Sequence, residues 1–176
     1  MKIRIIGACG SGKTTLAREI SKKFGISNYE IDNLIWDRTT ENKKYSEMTR
    51  DSKLQSILEM NSWVVEGVQI KKWTLKTIED ADIIFILKPN VYIRDLRIIK
   101  RFLLLKIGIR PWNYNQSFRN LRKMINDWNH KYDYKEAIEL TQSYQKTYYV
   151  VKSKREVLMH IENRFVSKLI EGNDYT

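Results

Sequence analysis

Residues 3–20 read IRIIGACGSGKTTLAREI. An apolar run ends at Ile6, small residues follow from Gly7 to Gly12, and Lys13 precedes apolar residues at helical spacing. A strand that enters a glycine-rich loop and continues into a helix presents a row of backbone N–H groups at the helix N-terminus, and such a site binds phosphate. The stretch from Gly7 to Thr14 matches G-x-x-x-x-G-K-[ST], the P-loop pattern. We therefore expect a nucleoside triphosphate to bind here.

The P-loop pattern also predicts which groups meet the nucleotide. The glycines let backbone N–H groups turn inward, Lys13 bridges the β- and γ-phosphates, and the Thr14 hydroxyl ligates Mg²⁺. Cys9 is either a small residue that fits the loop or a reactive thiol near a helix N-terminus. ATP and Mg²⁺ are the expected cofactors, and Lys13 is also a catalytic candidate. The expected nucleotide contacts are Gly7, Ala8, Cys9, Gly10, Ser11, Gly12, Lys13, Thr14 and Thr15.

Composition limits the class of protein. The chain has 176 residues, 42% of them hydrophobic and 11% aromatic, so we expect residues 1–176 to form one domain with a sizeable core. The single cysteine cannot form an internal disulfide, and no secretory pattern follows Met1. No apolar run reaches the roughly 20 residues that a membrane-spanning helix needs. These features predict a cytoplasmic protein without membrane contact, and they leave its oligomeric state open.

Strand patterns alternate with helical ones along the chain. The run from Ala81 to Pro89 is almost entirely apolar, as in a strand buried on both faces of a parallel sheet. Helices are expected after Lys13 up to Gly25, over residues 49–59, and after Ser153, which begins a Ser-x-x-Glu capping box. The order predicts an α/β P-loop NTPase fold with a five-stranded parallel sheet flanked by helices. The candidate strands are 2–6, 28–31, 63–67, 81–89 and 147–151.

Two carboxylates follow predicted strands. Asp32 comes after the second strand and Glu66 lies near the end of the third, and ligands of such folds bind beyond the carboxyl ends of the strands. Either carboxylate can hold a water on Mg²⁺ or orient the hydroxyl of an acceptor for attack. Asp32 can also serve only as a turn or helix cap. Both residues are candidates for substrate binding, and Asp32 is a catalytic candidate.

Positive charge is concentrated in one segment. The net charge is +11, and residues 88–123 hold ten Lys/Arg against one acid, Asp95. Within this segment Arg94, Arg97 and Arg101 stand at i, i+3 and i+7, which places them on one face of a helix. Arginines on such a face can stabilise charge on a transferring phosphoryl group, so Arg97 and Arg101 are catalytic candidates. The alternative is an exposed basic face. Gly108 and the polar residues after it suit a hinge.

The chain resembles the adenylate-kinase-like P-loop kinase family, relatives of nucleotide and shikimate kinases, and within it the subgroup named DNA topology modulation proteins. The resemblance covers about residues 1–130 and, more loosely, the last strand and helix. Two segments depart from the family pattern. The family usually has Asp-Gly-Asn-Tyr where this chain has Glu66-Gly67-Val68-Gln69. The family usually has Leu-Asp before a proline where this chain has Leu87-Lys88 before Pro89. The segments that carry the resemblance are the P-loop, DNLIW (32–36), WVVEG (63–67), ADIIFILKP (81–89) and RDLRIIKRFLLLKIGIRP (94–111).

The resemblance implies roles for further residues. A small helical lid over residues 90–116 closes on ATP, and residues 33–62 hold the acceptor. Trp36 forms a wall of the acceptor pocket, although a core position is equally compatible with the sequence. Arg50 contacts the acceptor, and Arg155 lies in the loop that packs over adenine. Either arginine can instead be a surface charge. Because the departures fall at strand ends near the acceptor, its identity is not carried over.

Two functions are compatible with the sequence. The first is a kinase that transfers the γ-phosphoryl group of Mg-ATP to a small-molecule acceptor, such as a nucleoside or nucleotide. The second is an ATPase or regulator that binds nucleic acid through the basic segment. The second is disfavoured because the sequence has no helix-turn-helix, RNA-binding signature or zinc finger.

Overall fold

The computed structural model describes residues 1–37, 39, 43–108 and 117–173, with side chains described up to residue 164. A five-stranded sheet forms its centre, in the order β2-β3-β1-β4-β5, and every pairing is parallel. The strand that enters the P-loop, β1, is therefore the middle strand, flanked by β3 and β4. The strands are β1 (Lys2–Ile6), β2 (Asn28–Glu30), β3 (Trp63–Gly67), β4 (Ile83–Leu87) and β5 (Tyr148–Val151).

Eight α-helices are described between and after these strands. A 3₁₀ turn at Lys72–Thr74 precedes α4, and a π-helical turn at Met124–Asn129 extends α6. None of the described helices is long and apolar enough to cross a membrane. The helices are α1 (Lys13–Phe24), α2 (Ile31–Ile35), α3 (Glu47–Leu58), α4 (Lys76–Glu79), α5 (Val91–Lys106), α6 (Phe118–Lys123), α7 (Tyr134–Ser143) and α8 (Lys154–Asn173).

Each face of the sheet has its own apolar layer. On one face α1 and α8 pack on the strands through Leu16, Ile20, Val157 and Ile161, all fully buried. The other face is covered by α2, α3, α4 and α7. Residues of β3 and β4 alternate between the two layers, as the pleat requires. Both faces are thus dry, which confirms the parallel sheet expected from the apolar run at 81–89.

The ends of α1 and α8 follow the expected capping patterns. Gly25 adopts φ +68°, and its N–H donates to the Ser21 carbonyl, which ends α1. At the start of α8 the Ser153 hydroxyl accepts a hydrogen bond from the Glu156 N–H at 3.3 Å and donates to the Glu156 carboxylate at 2.8 Å. Bonds from the Lys152 N–H and the Ser153 hydroxyl lower the pKa of Glu156. The capping box is confirmed.

Two local details differ from the sequence prediction. The second strand ends at Glu30 rather than Ile31, so Asp32 lies in the first turn of α2 and not at a strand end. The reason is local: Ile31 and Leu34 are both buried and lie three residues apart, a helical spacing. The polar, non-periodic residues 37–47 predict a loop, but the Tyr45 N–H donates to the Ile35 carbonyl at 2.9 Å, so the described part of this segment is partly paired.

Candidate functional site

The P-loop lies between β1 and α1, at the carboxyl end of the central strand. Gly10 and Gly12 have φ of +73° and +98°, conformations that residues with a Cβ rarely adopt. A Cβ on Gly7 would lie 2.6 Å from the Leu87 carbonyl oxygen. The hydroxyl of Ser11 is buried without a hydrogen-bond partner in the described structure. An unpartnered buried hydroxyl in a glycine loop fits a site that a polar ligand completes.

Lys13 is folded back onto this loop. Its ammonium group is buried and donates to the Ala8 carbonyl at 3.0 Å. Burial lowers the pKa of Lys13, and the negative charges of Glu66 and Asp32 act in the opposite direction. The site therefore holds a desolvated cation within reach of two carboxylates.

Glu66 and Thr14 form the second part of the site. The Thr14 hydroxyl donates to the Glu66 carboxylate at 2.5 Å, and Glu66 is buried at the end of β3. Burial raises the pKa of Glu66, while Lys13 and the Thr14 hydrogen bond oppose that change. A hydroxyl beside a carboxylate is a set of hard oxygen donors, which fits Mg²⁺. No group of three or more acidic, His or Cys side chains occurs among the described residues, so the protein alone offers no complete metal cage there.

Asp32 and Trp36 lie at the two ends of α2. Asp32 is exposed, and its charge acts on Lys13. Trp36 is half-buried, pairs with Lys44 in an antiparallel bridge, and lies 4.8 Å beneath the Lys44 ammonium. The sequence predicted the same two roles for Glu66 and Asp32, but the two carboxylates occupy different environments. Glu66 is buried against Thr14, and Asp32 is open to solvent.

Arg50 is held by its own helix and by an aromatic ring. Its guanidinium donates to Asp51 at 2.7 Å, lies 3.7 Å from Glu47, and stacks 4.5 Å from the centre of the Trp73 ring. The hydrogen bond to Asp51 raises the pKa of Arg50. These contacts fix the side chain on the surface of α3, and any acceptor contact must use donors that they leave free.

Helix α5 packs directly on the P-loop. The Arg94 carbonyl oxygen lies 2.6 Å from where a Cβ on Gly10 would stand. From the next turn Arg97 donates to the Ser11 carbonyl at 2.9 Å, and Arg101 lies 3.6 Å from the Cys9 sulfur. The arginine face expected from sequence therefore does meet the loop. The rest of the expected lid, including Arg110, falls in residues 109–116, outside the described residues.

Arg94 differs from the other two arginines. It is buried, and its guanidinium donates to the Tyr134 hydroxyl at 2.9 Å. That hydroxyl in turn donates to the Leu87 carbonyl at 3.4 Å. Arg94 thus ties α5 to α7 and the end of β4, whereas Arg97 and Arg101 reach the loop itself.

Arg155 follows Lys154, and Lys154 contacts α1. Arg155 is exposed in the first turn of α8. Lys154 forms an ion pair with Glu19 of α1 at 2.8 Å. This ion pair joins the start of α8 to the P-loop helix, and the role of Arg155 near a nucleotide base stays a prediction.

The sequence analysis missed Arg4. This arginine is buried in the middle of β1, and its guanidinium donates to the carbonyls of Val65, Gly67 and Gln69. Burial lowers the pKa of Arg4 to about 10. Arg4 thereby fixes the chain that leaves β3 directly after Glu66. An arginine between isoleucines, at Ile3-Arg4-Ile5, was the available signal.

Comparison with solved structures identifies the architecture. Shikimate kinase from Acinetobacter baumannii in complex with shikimate matches with a TM-score of 0.54 at 17% identity, over 94% of this chain and 93% of that one. Deoxyadenosine kinase from M. mycoides, with products dCMP and a flexible dCDP bound, matches with the same TM-score and identity, over 95% and 100%. A Janibacter sugar kinase matches at 14% identity and a TM-score of 0.51, over 90% of each chain.

The chain has the nucleotide-kinase P-loop fold. The fold class expected from sequence is confirmed. No protein-family model matches the chain, and no curated protein matches it in sequence. The topology-modulation subgroup stays a prediction.

The close contact between the P-loop and α5 predicts the effect of a methyl group at Gly10. Gly10 and Gly25 have nearly the same positive φ, but only Gly10 has a neighbour where a Cβ would stand. Gly25→Ala should cost about 1–2 kcal/mol through the left-handed backbone alone. Gly10→Ala should cost about 1–3 kcal/mol more, because α5 must move away. Urea unfolding of both variants measures the difference, and equal losses would contradict the packing described here.

Proposed function

We propose that the protein is a kinase that transfers the γ-phosphoryl group of Mg-ATP to a small-molecule acceptor. The observation that carries the proposal is the cluster of Lys13, Thr14 and Glu66 at the P-loop, beneath the arginines of α5. The solved structures named above are kinases, and a further structure of deoxyadenosine kinase from M. mycoides, with bound dATP, matches at 17% identity and a TM-score of 0.52. They support a phosphotransferase on this fold.

Thr14 and Glu66 are proposed to hold the metal. When bound, Mg²⁺ neutralises charge on the phosphate oxygens and orients them for transfer. The Thr14 hydroxyl would ligate the ion, and the Glu66 carboxylate, which accepts the hydrogen bond of that hydroxyl, would hold it in place and supply a further anionic oxygen. Lys13, freed from the Ala8 carbonyl, donates to the β- and γ-phosphates. The P-loop residues from Gly7 to Thr15 supply the remaining donors.

Asp32 is proposed to act on the acceptor. It is solvent-exposed, and its negative charge acts on Lys13, which supports a role beside the phosphate loop. In the transfer step Asp32 accepts the proton of the acceptor hydroxyl, whose oxygen forms a bond to the γ-phosphorus while the bond to ADP breaks. Residues 33–62, with Trp36 and Arg50, are proposed as the acceptor region. Shikimate and deoxynucleotides in the neighbouring structures make hydroxyl-bearing small molecules the class to test.

The lid is proposed to use Arg97 and Arg101. Arg97 donates to the carbonyls of Gly10 and Ser11, and Arg101 lies beside the Cys9 sulfur. A small movement of α5 therefore delivers both guanidinium groups to the transferring phosphoryl group. Arg155, in the first turn of α8, is proposed to border the base of ATP. Residues 1–176 are proposed to act as one domain.

The positions of three arginines weaken the case for nucleic-acid binding. Of the basic residues in the 88–123 segment, Arg94 is buried, and Arg97 and Arg101 face the P-loop. Arg94 is therefore not available to a phosphate backbone, and the contacts of Arg97 and Arg101 with the loop compete with such binding. We therefore propose no nucleic-acid function.

Replacing Lys13 should weaken ATP binding. Lys13→Ala removes a charged donor to phosphate, worth about 1.5–3 kcal/mol, or roughly ten- to 150-fold in Kd. Lys22→Ala, an exposed lysine on the same helix, is the matched control and should leave Kd unchanged. Isothermal titration calorimetry with Mg-ATP measures both. A folded Lys13→Ala protein with unaltered affinity would show that the loop is not a phosphate cradle.

Glu66 and Asp32 should separate metal binding from transfer. Glu66→Gln keeps the shape of the side chain but removes the carboxylate, so the gain in ATP affinity on adding Mg²⁺ should disappear. Asp32→Asn should keep that gain and lower the transfer rate by about 10²–10⁴. The affinity is measured with and without Mg²⁺, and the rate by coupled assay of ADP release. The reverse pattern would exchange the two roles.

The lid arginines should matter more for turnover than for ATP affinity. A thermal-shift screen of nucleosides, nucleoside monophosphates and small hydroxy acids with a Mg-ATP analogue first identifies the acceptor. Arg97→Ala and Arg101→Ala should then bind ATP within a few-fold of the unaltered protein and lose about 10²–10³ in kcat. Arg119→Ala, an exposed arginine on α6, should change neither value. Equal losses in all three variants would mean that the segment acts through bulk charge alone.

A further inference from the structure

Helix α5 has apolar residues on two opposite faces. Its inner face packs on the body of the protein through Ile98, Phe102 and Leu105, which are buried. The first and last residues of the apolar run from Phe102 to Leu105 take part in this packing. Leu103 between them is 55% exposed. Packing in the core therefore accounts for only some of the apolar side chains of α5.

The exposed apolar residues of α5 form a continuous stripe. They follow one another at spacings of four and three residues, which keeps them on one side of a helix with about 3.6 residues per turn. Leu96 is 67% exposed and Ile107 66%. A helix face open to water normally carries polar residues, so a stripe of this kind marks an interaction surface. We name it the outer stripe; its residues are Tyr92, Leu96, Ile99, Leu103 and Ile107.

Exposed apolar side chains are concentrated in the part of the chain that holds the outer stripe. Among the described residues, eight of the twelve large hydrophobic side chains that are exposed lie between Tyr92 and Trp128. Phe118 of α6 is 74% exposed and packs on Phe102, a residue of the inner face of α5, with 5.0 Å between ring centres. The outer stripe itself carries one aromatic ring, that of Tyr92.

Positive charge accompanies this surface. Lys100 is exposed and follows Ile99 of the outer stripe directly in the sequence, between Leu96 and Leu103. Further exposed cations lie at the end of α5 and on α6, where Arg122 and Lys123 follow each other. Asp95 is the single acid in residues 88–123, and its carboxylate already binds Asn129 and His130. The exposed charge beside the stripe is thus almost entirely positive.

We propose that the outer stripe docks on an anionic lipid surface. A helix with an apolar stripe and flanking Lys and Arg lies in the interface of a membrane, where lipid takes up the apolar side chains and anionic headgroups attract the cations. Aromatic rings are favoured at the same depth. A second copy of this chain would bring two sets of exposed cations together, among them Lys100, Arg122 and Lys123, so self-association through this face is electrostatically unfavourable. A nucleic acid would leave the apolar stripe uncovered.

Docking would bring the P-loop close to the lipid. The inner side of α5 carries Arg97 and Arg101 against the loop, and a helix with its side chains is about 10–12 Å across. The outer stripe and the candidate site are therefore separated by one helix. The docking proposal itself rests on the stripe and its charge and not on the proposed kinase activity.

Vesicle co-sedimentation of the full chain tests the proposal. The unaltered protein should bind vesicles of phosphatidylcholine with phosphatidylserine and not vesicles of phosphatidylcholine alone. Leu96→Gln combined with Leu103→Gln should weaken binding about tenfold or more, because two leucine side chains lose their apolar environment. Lys100→Glu should weaken it about fivefold or more. Met48→Gln combined with Met159→Gln, two exposed methionines outside the segment, is the matched control and should bind as the unaltered protein does.

Three results would overturn the proposal. One is binding to neither kind of vesicle, and another is equal binding to both kinds. The third is a dimer in analytical ultracentrifugation that the Leu96/Leu103 double variant dissociates, because that result makes a second copy the occupant of the stripe. Thermal unfolding verifies that each variant is folded. The comparison of the two vesicle types and the Lys100→Glu variant do not depend on how the leucine variant folds.

Discussion

The buried ammonium group of Lys13 is the constraint on which the site depends. A desolvated cation needs a nearby carboxylate and hydrogen-bond acceptors, or its burial costs several kcal/mol. Ala8 supplies the acceptor from the loop itself, but the carboxylate of Glu66 comes from another strand. It is available only because β1 and β3 are parallel neighbours with Ile5 opposite Glu66. The burial of the Lys13 ammonium group thus depends both on the order of the strands and on the backbone of the phosphate loop.

The same loop also supports α5. The helix backbone approaches Gly10 so closely that any side chain there would collide with it, and this approach brings Arg97 and Arg101 to the loop. Gly10 therefore serves two purposes: it allows the loop its positive φ and it gives α5 a place to pack. Because one side of α5 is committed to this contact, the opposite side is left as the exposed apolar stripe. Its exposure follows from how the helix is seated.

Local patterns were sufficient to predict much of this molecule. The P-loop, the strand positions, the glycine at the end of α1 and the capping box of α8 each depend on residues close together in sequence. The pairing of Glu66 with Thr14 depends on strand register, which no local pattern specifies. The division of the three arginines depends on how α5 is turned against the body, so Arg94 could not be told from Arg97. Arg4 was missed because its partners lie more than sixty residues away.

The charges buried at this end of the sheet are unbalanced. Arg4 and Lys13 are cations and Glu66 is an anion, and Arg4 adds to the lowering of the pKa of Lys13. For all three groups burial outweighs pairing, since it lowers the pKa of both cations and raises the pKa of the carboxyl group. Arg94, buried beside the end of β4, is a third cation, so among the described residues three buried cations face one buried anion, and an anion that binds there stabilises the folded protein. A chain of phosphates supplies such an anion, and the backbone N–H groups of the loop are already turned to receive it.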